Sequence, residues 1–281
     1  MRVSLGSSSP LVATLARAGR TAALVAPATA TIEAASGATH TGGECAEWAD
    51  IPNAWHFELD ATHTADLDTL VVRFAGTADS VDVAKYIGVE VVSSTMFTIG
   101  DLRSMPDLDN EQRYSHLTLT AALDWIEALI ETTVETSFCE RRYQETRAIK
   151  GCTVAPFKAY PSQLFGLTFN GEAVDPAAWE LDRSGVLTAP SSFFGSLTID
   201  YSAGFSTHAP ADLLAVAALQ AARAKVLSRG QSGMPDRTRS ISNEFGSTSF
   251  AIAGPNQPTG YPEVDAILMK WRDLVRLPGL A

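Results

Sequence analysis

Residues 201–230 read YSAGFSTHAPADLLAVAALQAARAKVLSRG, and this stretch decides the fold class because it changes from strand to helix. The residues up to Tyr201 alternate apolar and polar side chains, which is the pattern of a half-buried strand. Gly204 interrupts that pattern, and Pro210 stands where the first turn of a helix accepts proline. We therefore predict that a strand region at about 152–205 precedes a helix at about 210–229.

The predicted helix is unusually rich in alanine, with seven alanines between positions 211 and 224. Such small side chains allow neighbouring backbones to approach closely. Two interpretations are open at this point: a thin helix in the core of one subunit, or a helix held between subunits of an assembly. The alanines that we predict to pack against a neighbouring subunit are Ala215, Ala218 and Ala222.

Two further helices are predicted from apolar residues that recur at three- and four-residue steps, one at about 115–138 and one at about 262–276. The first also carries a second, acidic stripe. Two interpretations of that stripe are open: a solvated outer face, or a face turned toward DNA or a basic neighbour. The residues of the acidic stripe are Asp124, Glu127, Glu131 and Glu135.

The rest of the chain has the two-residue period of strands or is rich in turn residues. The pattern of residues 1–78 predicts a small, immunoglobulin-like β-sandwich domain, and that of residues 79–96 predicts a linker. The strand region at 152–205 contains Asn170-Gly171, the dipeptide favoured in tight hairpin turns. Residues 230–261 are rich in Gly, Pro and Ser and predict an extended arm. The fold class is therefore α+β, with a second domain over 97–281 built from a small helical bundle and a β-hairpin insertion.

Charge and motifs exclude several functions. The formal charge is −11, which repels phosphates and disfavours a sequence-reading DNA-binding protein. Cys45, Cys139 and Cys152 lack Cys-x-x-Cys spacing, so we expect buried free thiols and no metal. His63 lies near Asp66 and Asp68, a cluster that we assign to a loop. No phosphate loop, nucleophile elbow or His-Glu-x-x-His motif is found, so we expect a protein that is not an enzyme and has no cofactor.

Export and membrane signals are weak. Arg17 and Arg20 interrupt the apolar N-terminal stretch that would imitate a secretory signal. No uninterrupted apolar run approaches the roughly 18–20 residues that span a bilayer. We expect a soluble protein made in the cytoplasm of its host.

Four stretches follow one another in an order that resembles the head-to-tail adaptor, or connector, proteins of long-tailed phages, particularly those that infect actinobacteria. The resemblance covers about 97–281, and the domain before residue 80 lies outside it. The four stretches are FTIGDLRSMPDLDNEQRYSHLTLTAALDWIEALIET (97–132), IDYSAGFSTHAPADLLAVAALQAARAKV (199–226), PDRTRSISNEFGSTSFAIAG (235–254) and TGYPEVDAILMKW (259–271).

The resemblance implies a virion neck protein that forms a dodecameric ring beneath the portal. Such a ring extends the channel for double-stranded DNA, which passes without sequence-specific binding, and offers a docking surface to the stopper protein. We place the acidic stripe near the channel lumen and the main portal contact within 230–281. The residues predicted at the contact with the portal or a neighbour are Phe245, Phe250, Ile252, Tyr261, Val264, Ile267, Leu268 and Trp271.

Two other functions compete with this interpretation. A tail-completion or terminator ring protein would contact the tail tube instead of the portal. A surface adhesion or carbohydrate-binding protein built around the N-terminal sandwich would be expected to carry an export signal.

Overall fold

The computed structural model of the chain has a mixed α+β fold in which strands outweigh helices, so the predicted class is confirmed. The structure describes residues 1–17, 19–21, 23–49, 51–134, 137–155, 158, 161–182, 185–204, 211–230, 240–243, 246–249, 258–260 and 262–275.

The strands are numbered in chain order. They are β1 (Arg2–Ser4), β2 (Ser9–Thr14), β3 (Ala16–Arg17), β4 (Arg20–Thr21), β5 (Thr29–Ala34), β6 (Gly43–Glu44), β7 (Ala46–Glu47), β8 (Ala54–Leu59), β9 (Asp68–Ala78), β10 (Val81–Val92), β11 (Arg141–Val154), β12 (Pro161–Phe169), β13 (Glu172–Val174), β14 (Glu180–Leu181), β15 (Leu187–Ala203), β16 (Ser240–Asn243) and β17 (Gly246–Ser249). The helices are α1 (Ile99–Arg103), α2 (His116–Val134), α3 (Ala211–Gly230) and α4 (Pro262–Val275), and a 3₁₀ turn covers Pro176–Ala178.

The chain divides into two compact units, each built from two separate segments. We call Met1–Thr95 with Cys139–Thr207 the β unit, and Met96–Phe138 with His208–Ala281 the helical unit. This division differs from the predicted domain limits, since the strand region predicted as an insertion in the helical core groups with the N-terminal strands. Local sequence patterns do not reveal which distant strands pair, so the pattern alone gave no sign of this grouping.

The predicted linker at 79–96 is largely a strand. β10 pairs antiparallel with β9, from Val81 opposite Ala78 to Val91 opposite Asp68. The two strands are joined at Asp79 and Ser80, which both adopt positive φ (49° and 62°). Positive φ at both central residues is the geometry of a tight hairpin turn. Because that turn contains neither Asn-Gly nor any other glycine, the sequence pattern did not mark it.

The N-terminal part of the β unit contains two sheets that share one apolar core. One sheet has the order β1-β10-β9-β5-β6 and the other β2-β8-β7, while β3 and β4 form a short ribbon. Alternate side chains of β8 and β9 supply this core: Leu59, Leu70, Val72 and Phe74 are fully buried, Trp55 is nearly so, and Phe57 packs against them.

The remaining part of the β unit is a sheet with the order β11-β15-β12-β13, with β14 paired to β15. Leu197, Ile199 and Tyr201 alternate into its core and are fully buried, as their spacing predicts. Asn170 and Gly171 have φ of 48° and 89° and connect β12 to β13. The Asn-Gly dipeptide therefore forms the predicted hairpin turn.

The helical unit is organised around one core to which α1, α2, α3 and α4 all contribute. The apolar stripe of α2 is buried throughout, at Leu119, Leu123, Ile126, Ile130 and Val134. Thr98 caps the N-terminus of α1 in a reciprocal arrangement with Asp101. Within the predicted arm, β16 and β17 form an antiparallel hairpin with Asn243 opposite Gly246.

Candidate interaction surfaces

The alanines of α3 pack against helices of the same chain. Ala218 and Ala222 are fully buried in the core that α3 shares with α2 and α4, and Ala217 and Ala221 are at most 5% exposed. Ala215 is partly exposed. Close packing inside one subunit therefore accounts for two of the three alanines that we predicted to contact a neighbouring subunit.

The outer side of α3 presents an apolar side chain to solvent. Val216 is 53% exposed and lies next to the partly exposed Ala215. Farther along the helix, basic side chains are held by the same chain. The Arg223 guanidinium donates to Asp107 Oδ2 (2.7 Å) and to the Pro106 carbonyl oxygen (2.9 Å). Lys225 Nζ lies 5.1 Å from the centroid of the Trp125 ring.

The acidic stripe of α2 does not form one solvated face. Glu127 is only 2% exposed, and its carboxylate accepts a hydrogen bond from the Met96 backbone N–H (3.1 Å). Asp124 and Glu131 are partly exposed, and Glu131 accepts a hydrogen bond from Ser137 Oγ (2.9 Å). Glu135 lies outside the described residues. That this stripe lies near a channel lumen stays a prediction. Glu127 is buried and would present no exposed charge to such a lumen.

The burial of Glu127 follows from its place on the helix. It stands four residues after Leu123 and three before Ile130, so it shares their side of α2. A buried carboxylate needs a hydrogen-bond donor, and the chain entering the helical unit supplies one at Met96. The spacing from Leu123 and to Ile130 could have predicted the burial of Glu127 from the sequence. The hydrogen-bond donor could not have been predicted, since Met96 lies 31 residues away in the chain.

The apolar stripe of α4 belongs largely to the core of the helical unit. Val264 and Leu268 are 2% and 0% exposed, and Ile267 packs against the same core. These buried side chains do not present a surface to a portal in this conformation. Of the other residues predicted at that contact, Phe245, Phe250, Ile252, Tyr261 and the side chain of Trp271 lie outside the described part of the chain.

A buried carboxylate holds the start of α4. Asp265 is 3% exposed, and its Oδ1 accepts hydrogen bonds from the Thr259 N–H (2.9 Å) and the Thr259 hydroxyl (2.7 Å). These contacts join the segment before α4 to the first turn of the helix. An acid in the first turn of a helix also interacts favourably with the helix dipole.

An ionic cluster connects strands of the β unit. The Glu90 carboxylate accepts hydrogen bonds from Arg2 Nε (3.1 Å) and Arg141 Nη1 (2.9 Å). Burial raises the pKa of Glu90, but the two guanidinium groups outweigh burial and hold that pKa below its usual value. The cluster joins the β1 and β10 edge of one sheet to β11 of the next, which is a structural role.

Polar side chains of β11, β12 and β15 also meet one another and Glu140, the residue before β11. The Glu140 carboxylate accepts hydrogen bonds from the hydroxyls of Ser162 and Ser202. The Tyr201 hydroxyl donates to Glu145 (3.0 Å), and burial is the main reason why the pKa of Tyr201 is raised. These contacts satisfy polar groups of the sheet, and we assign no chemical step to them.

The cysteines and His63 occupy different environments from one another. Cys45 and Cys139 are buried as predicted, whereas Cys152 is exposed, which corrects the expectation of three buried thiols. Burial, with a smaller contribution from Glu44, raises the pKa of Cys45 to about 11.

His63 lies in a turn, but its hydrogen-bond partners are Asp60 and the Thr41 carbonyl oxygen, not Asp66 and Asp68. Over the described ranges, no three His, Cys, Asp or Glu side chains form a group able to hold a metal ion.

Comparison with known proteins finds similarity to solved structures alone. No family model matches the chain, and no curated protein does. One similar solved structure is described as "Neck of empty GTA particle computed with C6 symmetry". The two chains share 17% sequence identity with a TM-score of 0.42, and the match covers 66% of this chain and 94% of that one. Among the helices that the structure describes, none is long and apolar enough to cross a membrane.

Proposed function

We propose that this chain is a structural neck protein of a tailed, phage-like virion. In this role, copies of the chain form a ring that joins the portal to the stopper and extends the DNA channel. The observation that carries the proposal is the order of the four stretches between residues 97 and 271 that resemble head-to-tail adaptors. The proposed location is the head-tail connector of the virion.

The fold of the helical unit supports this proposal. Residues of α2, α3 and α4 account for much of three of the four resembling stretches, and these helices share a single core. The helical parts of these three stretches therefore belong to one folding unit, whereas residues 199–203 of the second stretch lie in β15 of the β unit. A small helical bundle is also what the resemblance implies for the adaptor core.

The charge of the chain suits passage of DNA. A formal charge of −11 gives a net repulsion from the phosphate backbone, so DNA would slide through a ring of such subunits instead of binding to it. Asp124 and Glu131 are the partly exposed acids that we place near the lumen. We further propose that the protein acts without catalysis and without a cofactor.

A closed ring requires two different complementary faces on each subunit. We assign one of them to the outer side of α3, because Val216 is exposed there beside the small Ala215. The portal contact is proposed within 230–261 and at the end of α4, since Val264 and Leu268 are already used in the core of the chain.

The N-terminal strands are proposed to form an immunoglobulin-like sandwich on the outside of the ring. Two sheets that share one core, with Leu59 from one sheet and Phe74 from the other both fully buried, support a sandwich. This part of the β unit precedes the resembling stretches, which supports a role separate from joining head and tail.

Co-sedimentation with purified rings tests the proposal. The full chain is mixed with the portal ring of the same virus, and separately with its tail tubes, and each mixture is centrifuged through a glycerol cushion. We expect the chain to pellet with the portal and not with the tubes. Pelleting with the tail tubes alone would support a terminator and overturn the adaptor proposal. A Val216→Glu variant should lose ring formation while keeping its helical circular dichroism.

A further inference from the structure

A groove of about 590 Å³ opens in the β unit where one segment changes its pairing partner. β6 pairs with β5, whereas β7, which begins two residues after β6 ends, pairs with β8. Between β6 and β7, the Cys45 N–H donates a hydrogen bond to the carbonyl oxygen of Ala28, the residue before β5 (2.8 Å). The pairing of this segment with the β5 side ends at that hydrogen bond. Within the described part of the chain, no backbone hydrogen bond joins residues 24–27 to β7. The groove lies between these two segments.

The two walls of the groove differ in chemistry. Residues 24–27 (Leu-Val-Ala-Pro) form an apolar wall, on which Val25 is 78% exposed. Glu44 and Glu47 are exposed on the opposite wall. Trp55 lines the groove between them and is nearly buried. Among the described residues that line the groove none is basic, so these side chains give it a negative charge.

Three observations together define what fits this groove. The carboxylates of Glu44 and Glu47 attract cationic groups and repel anions. The exposed Val25 offers a contact to an apolar side chain. β7 is the outer strand of its sheet, and an outer strand can hydrogen bond to one more extended strand. Alternating basic and apolar side chains on an extended backbone satisfy all three conditions.

We propose that this groove binds an extended, basic peptide segment of a partner protein, which adds as a strand beside β7. The segment's basic side chains lie along Glu44 and Glu47, and its apolar side chains contact Val25. This site is separate from the helical unit, so it does not depend on the proposed neck function.

The test uses three short peptides and the full chain. The first is acetyl-Lys-Val-Lys-Val-Lys-amide, the second has glutamate in place of each lysine, and the third is the lysine peptide with the backbone nitrogens of all five residues methylated. Methylation keeps the charge but removes N–H groups that strand addition requires. Binding is measured by titration calorimetry at low ionic strength, because exposed charge pairs are screened by salt.

Matched variants locate the site. We expect the Glu44→Gln/Glu47→Gln double variant to bind the lysine peptide about tenfold more weakly, which is the effect of losing two exposed ion pairs. The Glu33→Gln/Glu172→Gln double variant removes the same charge from exposed positions outside the groove and should bind nearly as the unaltered chain does.

The expected result is binding of the lysine peptide alone, weakened by the groove variant and lost on methylation. Three results would overturn the proposal: no binding of the lysine peptide at millimolar concentration, equal binding of the methylated peptide, or equal weakening by both double variants. The last two would indicate attraction to the overall acidic chain without strand addition in this groove.

Discussion

Enlarging Ala222 separates the two explanations of the alanine-rich helix. Ala222 is fully buried in the core that α3 shares with α2 and α4, so the additional carbons of an Ala222→Leu variant have no space in the folded subunit. Overpacking of this kind costs about 1–3 kcal/mol. We therefore expect the free energy of unfolding of the helical unit to fall by about that amount in the isolated chain.

The assay is urea unfolding followed by helical circular dichroism, at a concentration where the chain is monomeric. Ala215→Leu is the control, because Ala215 is partly exposed and its enlargement should change the free energy of unfolding by less than about 0.5 kcal/mol. If Ala222→Leu unfolded like the unaltered chain and only assembly were impaired, the assignment of Ala222 to the core of the subunit would be refuted.

Three further predictions concern buried and exposed polar groups. Glu127→Ala leaves the Met96 N–H without its acceptor and should lower the free energy of unfolding by about 1–3 kcal/mol, whereas Glu127→Gln should restore much of the loss in the same urea assay. Because the pKa of Glu90 is lower in the folded chain than its usual value of 4.5, ionised Glu90 stabilises the fold above about pH 4.5, and this stabilisation is lost as the pH falls through the folded-state pKa. In an Arg141→Gln variant, the melting temperature should therefore depend less on pH between pH 2.5 and 5. Cys152 should react with Ellman's reagent in the native chain at one thiol per molecule, since the other two thiols are buried; two or three fast thiols would contradict that burial.

The helices were predictable because their signals are local. Apolar spacing predicted a helix at 115–138, and α2 covers His116–Val134; Pro210 marked the start of α3, and α4 begins at Pro262 as expected. The Asn170-Gly171 turn was predictable for the same reason, because the dipeptide itself favours positive φ.

The domain limits were not predictable from local signals. The turn at Asp79 and Ser80 carries no glycine, so β10 resembled a linker. The grouping of β11 and β15 with the N-terminal strands depends on contacts between residues far apart in the chain, such as that of Arg141 with Glu90 across 51 positions.

The interaction surfaces were the least predictable part. An apolar stripe shows that a helix face is buried but not what buries it, so Val264 and Leu268 were assigned to a partner although the same chain covers them. The groove beside β7 was missed as well, because it arises where the pairing partner changes from β5 to β8 and has no sequence motif.

The most direct test of the proposed neck function is electron cryomicroscopy of the purified portal ring incubated with this chain. The account predicts an additional ring of density at the exit end of the portal, into which the bundle of α2, α3 and α4 fits next to the channel. A portal without additional density, under conditions in which the same chain forms rings on tail tubes, would contradict the account.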